Sequence, residues 1–158
     1  MLKTTMTESY KILGKYIKDM SSETPDIETF LFVRDYISKY QLKGYKLIFS
    51  SYQSKRVFGH ANIVRQNKSK TPGAIWNITK KNEKVLDWYE GVPYYYQKKY
   101  LRWKGKKMLV YIQKDFFKKK PSLEYIQTIV DGYNDCNLDI NYLKKRMSYF
   151  PINYDIKW

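Results

Sequence analysis

The sequence predicts a single α+β domain, on three observations. Apolar residues recur at helical spacing near both ends of the chain, short β-rich runs fill the middle, and no repeat or linker divides it. Seven glycines and five prolines in 158 residues are too few for a flexible connector. We therefore expect one domain over residues 1–147 and a C-terminal tail over 148–158, whose Pro-broken sequence predicts no regular element.

Along the chain, Pro25-Asp26 opens a stretch in which Ile27, Phe30, Val33, Ile37 and Tyr40 recur every three or four residues, predicting a helix over 27–40. From Tyr45 the texture changes to YKLIF, ANIV and GAIWNI, three strand-like runs. Turns are expected at Gln53-Ser54-Lys55 and from Gln66 to Gly73. Thr79 can cap a helix over 80–89. KKYLRW and MLVYIQ flank Lys104-Gly105-Lys106-Lys107 and predict a hairpin with Leu101, Trp103, Met108, Val110 and Ile112 inward. Ser122 caps LEYIQTIVD, which Gly132 is expected to end, and Asp139 caps INYLKKRM.

The most specific segment is Leu86-Asp87-Trp88-Tyr89-Glu90-Gly91, followed by Pro93 and Tyr96. It stands in order with LKGYKLIF, GHANIV and PGAIWNI before it and PSLEYIQTIVDGY after it. From Tyr10 to Met147, most firmly from Leu42, the chain resembles the γ-glutamylcyclotransferase-like family, whose signature LD-x-x-EG-x-P-x-x-Y carries a catalytic glutamate. The resemblance implies a mixed β-barrel with helices packed outside, Glu90 as acid/base, Tyr96 in the pocket, and no cofactor. It also implies a small γ-glutamyl substrate whose α-amine attacks its own γ-carbonyl, closing 5-oxoproline and expelling an amine. One carboxylate can take the proton of the attacking amine and hand it to the leaving one. Family members grip the substrate's α-carboxylate with a Tyr-Gly-Ser-Asn loop. Its counterpart here is Leu13-Gly14-Lys15-Tyr16, in which only Gly14 is kept. Lys15 and Tyr16 are bulkier than Ser and Asn and predict a substrate site given up or redirected, with little 5-oxoproline released from γ-glutamyl amino acids.

The charge points elsewhere. Thirty Lys and Arg against fifteen Asp and Glu give +15, beyond what solubility asks of a small domain. Residues 43–70 hold seven cations and no acid, and residues 98–120 hold ten cations against Asp115 alone. Such blocks suit a polyanion. Lys55 and Arg56 in the first, and Lys98, Lys99, Arg102, Lys104, Lys106, Lys107, Lys118, Lys119 and Lys120 in the second, are the candidate contacts for a nucleic acid or a nucleoprotein complex. The two blocks form one field only if the fold brings them together.

Three functions follow, in this order. The first is a basic nucleic-acid-binding module on a borrowed fold; a phage or mobile-element inhibitor of a host defence complex, of the anti-CRISPR kind, fits its size and charge. The second is a cyclotransferase acting on an unusual γ-glutamyl amine, and the third is a cavity carboxylate reused to cleave RNA. With one cysteine, Cys136, and one histidine, His60, disulfides, the usual zinc ligand sets and Ser-His-Asp chemistry are not expected. The lone cysteine, together with residues 1–11 lacking the pattern of a secretory signal, suggests a reducing, cytoplasmic setting. No apolar run is long enough to span a bilayer, so no membrane partner is expected.

Overall fold

The computed structural model describes residues 9–12, 35–150 and 154–158. Its elements are β1 (Ser9–Ile12), β2 (Asp35–Ser51), β3 (His60–Ile78), α1 (Lys80–Tyr89), β4 (Gln97–Trp103), β5 (Lys106–Ile112), β6 (Phe117–Lys118), α2 (Leu123–Asp135) and α3 (Ile140–Met147). The strands form one mixed sheet in the order β4-β5-β1-β3-β2-β6. β1 is antiparallel to β3 and parallel to β5. The α+β class is as predicted. The expected barrel is not: among the described residues the strand order ends at β4 and β6 and the ladder does not close.

The long β2–β3 hairpin corrects two expectations. Residues 35–40 belong to β2, not to a helix, while residues 27–34 of the expected helix lie outside the described residues. The misleading spacing has a physical origin. Tyr36 pairs with Trp76 and Ser38 with the next residue, Ile75, so Ile37 is an unpaired bulge. The bulge breaks the two-residue alternation and lets Ile37 and Tyr40, three apart, pack on the same apolar cluster. The second correction is at Gln66–Gly73. ANIV and GAIWNI are the two ends of one strand, and Lys70 to Gly73 pair with Lys43 to Tyr40. The turn chemistry shows up only as a loop-out: Lys43 pairs with Lys70 but Tyr45 pairs with Arg65, leaving residues 66–69 opposite Gly44. Gly44 and Lys68 there both take positive φ, 77° and 66°.

The hairpin β4–β5 forms as expected, turning on Lys104 and Gly105 with φ of 47° and 76°. Its inward set is larger than expected. Met108 packs with Leu42, Tyr45 and Ile75, while Leu109 and Tyr111 pack on the opposite side with Leu86 of α1. β5 is therefore covered on both faces, which is why four successive residues, Met108 to Tyr111, are buried.

The three helices among the described residues start at the predicted caps. Thr79 and Asn82 make a reciprocal capping box, the Ser122 Oγ accepts from the Tyr125 N–H, and the Asp139 carboxylate accepts from the Asn141 N–H. α2, however, runs through Gly132 to Asp135. The next residue, Tyr133, is buried against Leu47, Phe49 and Leu143, and this burial, worth about 2 kcal/mol, outweighs a mid-helix glycine penalty of about 1 kcal/mol. α2 and α3 thus cover β2, and α1 covers β5. No helix among the described residues is long and apolar enough to cross a membrane.

Candidate active site around Glu90

The site is set by how α1 ends. Leu86, fully buried, anchors the helix to the sheet, and its carbonyl accepts the Glu90 N–H at 2.8 Å. Gly91 then reverses the chain with φ of 61°, and its carbonyl accepts the N–H groups of Tyr94 and Tyr95 at 2.9 Å. A Cβ at Gly91 would overlap the Tyr95 ring, so this position requires glycine twice over. The Val92–Pro93 bond is cis. The result is that Glu90, at the last backbone-bonded position of α1, is only 5 % exposed and faces a cavity of about 530 Å³.

Residues far apart in sequence build the cavity wall. Tyr96, 8 % exposed, donates its hydroxyl to the Ala61 carbonyl at 3.0 Å. The Tyr125 hydroxyl of α2 accepts the Ala61 N–H at 2.9 Å, and the Tyr125 ring meets His60 edge-on at 4.9 Å. Gln113, just past β5, reaches the cavity together with Ser51. Gln113 is held by a buried polar network. The Asn62 side chain donates to the Gln113 carbonyl and accepts the Gln113 N–H, at 3.1 and 3.0 Å, while Ser50 donates to its side chain at 2.7 Å. Asn62 thus acts as a one-residue strand partner, joining β3 to the end of β5 where the ladder itself stays open. Tyr52 and Tyr95, ring centroids 4.2 Å apart, and the exposed Arg56 and Glu124 form the outer wall.

Asp87, three residues before Glu90, turns the other way. Its carboxylate accepts the Tyr111 hydroxyl and the Lys98 ammonium, both at 2.7 Å. Glu83, one turn earlier, accepts Lys98 and the Tyr100 hydroxyl, both at 2.8 Å. Burial pushes the Tyr111 phenol up, and its bond to Asp87 and the nearby Asp87, Glu90 and Glu83 charges push it further. Burial pulls Lys98 down, but its hydrogen bonds to Asp87 and Glu83 and their charges outweigh that, for a net rise. These pairs clamp α1 to the β4–β5 hairpin and so hold Glu90 in place.

The sequence-predicted residues separate into groups. Glu90 and Tyr96 meet in the cavity, and so does Arg56, which the charge pattern had placed on a polyanion surface. Leu13, Gly14, Lys15 and Tyr16 lie outside the described residues. β1, which precedes them, runs parallel to β5, the strand just before Gln113. Lys98 is committed to internal ion pairs. Lys118 to Lys120 hold the loop after β2: the Lys119 ammonium donates to the Ser54 carbonyl at 2.7 Å, and the Lys120 carbonyl accepts the Gly59 N–H. Lys55, Arg102 and Lys106 are exposed. Lys104 and Lys107 lie over the rings of Trp103 and Tyr100, at 4.8 and 3.5 Å. Lys99 lies over Tyr45 at 5.5 Å, and so does Arg65 at 5.2 Å, which brings the two basic blocks together on one ring. Sequence reading missed Gln113, Tyr125 and His60 as wall residues, since only the chain fold brings them to Glu90.

Solved structures share this architecture. The chain is similar to a protein described as gamma-glutamyl cyclotransferase, with a TM-score of 0.71 and 20% identity over 95% of this chain and 92% of that one. An uncharacterized protein from Homo sapiens gives 0.71 and 20% over 96% and 93%. YkqA from Bacillus subtilis gives 0.73 and 19%, over 92% of this chain but 56% of YkqA. At such identities the likeness is one of fold, and the chain has the γ-glutamylcyclotransferase-like fold. No family model matches the chain. A segment of 37 residues is 73% identical to the "Putative protein-export protein SecB" of Pelagibacter ubique, spanning 23% of this chain and about a quarter (26%) of that protein.

Proposed function

We propose that the Glu90 cavity is an acyl-transfer site of the cyclotransferase type, acting on an unusual γ-glutamyl amine. The observation that carries this reading is a carboxylate 5 % exposed on the wall of a roughly 530 Å³ cavity, a size suited to a small molecule. The fold and the motif order support it. In the reaction the substrate's free α-amine attacks the γ-carbonyl, a C–N bond closes the five-membered lactam, and the old amide C–N bond breaks. Glu90 takes the proton released by the attacking nitrogen and returns it to the departing one, so it ends as it began. Tyr96 has a different part. Its hydroxyl already donates to Ala61, so it walls and orients the site instead of supplying a proton. Gln113, locked by Asn62 and Ser50, offers a fixed polar group at the far side.

Lys15 and Tyr16, bulkier than the Ser and Asn of the family's α-carboxylate loop, are the ground for expecting an unusual substrate in place of ordinary γ-glutamyl amino acids. The test is a panel of γ-glutamyl amides of polyamines, aromatic amines and amino acids, read by mass spectrometry for 5-oxoproline. Release is expected from at least one non-amino-acid member and weakly or not at all from the γ-glutamyl amino acids. No 5-oxoproline from any member would overturn the reading.

A further inference from the structure

The charge that the Glu90 chemistry leaves unused is not spread evenly over the molecule. Arg65 comes from the first basic block and Lys99 from the second, 34 residues apart in sequence, and both lie against the ring of Tyr45. Tyr45 itself is 2 % exposed, so the ring is a fixed floor and the two cations are its solvent-facing cover. Beside Arg65, the loop-out at residues 66–69 carries Lys68 in an exposed, positive-φ position. On the neighbouring hairpin, Lys104 lies over Trp103 and Lys107 over the half-exposed Tyr100. Among the described residues, Arg65, Lys68, Lys99, Lys104 and Lys107 make no ion pair. Residues 43–70 and 97–112 contain no acid, and the nearest helix acids, Glu83 and Asp87, are bonded to Lys98.

We propose that this face, where the β3 loop-out meets the β4–β5 hairpin, binds single-stranded nucleic acid through its phosphates. Two features select that partner. Cations without acidic partners on one face repel, and a chain of phosphates relieves the repulsion along its length while releasing counterions. Aromatic rings lie among the cations, with Lys107 over the half-exposed Tyr100, the interleaving of aromatics and cations that single strands use. Lys99 and Tyr100 lie on β4, which among the described residues is an edge strand of the sheet.

The experiment is fluorescence anisotropy with labelled uridine and deoxythymidine oligomers of about 16 nucleotides, titrated from low to physiological salt. The wild-type protein is expected to bind, with log K falling by about 0.7 per phosphate contacted for each decade of salt. Arg65→Ser with Lys99→Ser is expected to weaken binding about ten-fold or more and to flatten the slope by about one unit or more. Lys144→Ser with Lys145→Ser, which removes the same charge from α3, is expected to change binding by less than about two-fold. Arg65→Lys with Lys99→Arg keeps the charges and is expected to bind like wild type, which separates charge from folding. Three results would overturn the proposal: no binding of either oligomer at low salt, equal loss in the two charge-removing pairs, or binding to phosphatidylserine vesicles but to neither oligomer.

Discussion

Glu90 and Gly91 are adjacent, and the chain reversal at Gly91 follows directly on the residue that faces the cavity. Gly91 has φ of 61° and the Tyr95 ring where a Cβ would stand. Gly91→Ala is expected to cost about 2 kcal/mol in urea denaturation, combining left-handed strain with displacement of a ring that lines the cavity. The residues behind the site make a pH prediction. Lys98 is raised on balance, so its contribution is fully present below its unfolded pKa of about 10.4 and is lost as pH rises toward the folded value. Tyr111 is also raised, first by burial and then by Asp87, so its phenol stays neutral in the fold while the unfolded phenol ionises above pH about 10. Both effects remove stability on the alkaline side. Urea midpoints should hold up to about pH 9.5 and fall between about pH 10 and 12, and Tyr111→Phe should shallow that fall. A midpoint independent of pH in that range would refute the clamp. Glu90 and Tyr96 were legible because a short local motif carries them. Asn62 and Gln113 were not, because their contact spans 51 residues and neither has a neighbour in sequence that announces it.

At the scale of elements, helix starts were legible and long strands were not. A cap is a local bond, written in one or two residues such as Thr79 and Asn82. A strand's partner is distant, and a bulge rewrites its periodicity. Ile37 made β2 look helical, and the turn-rich segment around Lys68 made one strand look like two. Gly132 misled for a related reason, since tertiary burial of Tyr133 decided where α2 ends. The link between β3 and the residue after β5 rests on the Asn62 side chain, which gives an element-scale prediction. Asn62→Leu leaves the Gln113 backbone N–H and C=O without that partner in a buried setting, and is expected to cost about 3 kcal/mol. Hydrogen exchange at the Gln113 amide should accelerate well beyond the global change. Retained protection there would show that another group supports the end of β5.

For the whole molecule, composition indicated an excess of charge but not its arrangement. The fold spends Lys98 on internal ion pairs, uses Lys119 to hold a loop, and gathers Arg65 and Lys99 on one ring. The sequence ranked a polyanion-binding module ahead of an enzyme, whereas our proposal starts from Glu90, a glutamate buried on a cavity wall. The basic face and the cavity involve different residues, so the two activities should separate by mutation. The most direct measurement is the turnover number of Glu90→Gln on whichever γ-glutamyl amide the wild-type protein cleaves, with melting temperatures recorded alongside. Glutamine keeps the shape and cannot carry the proton. The account predicts a loss of about 10² to 10⁴ in turnover with a melting temperature close to wild type. Turnover at the wild-type rate in a folded Glu90→Gln protein would contradict it.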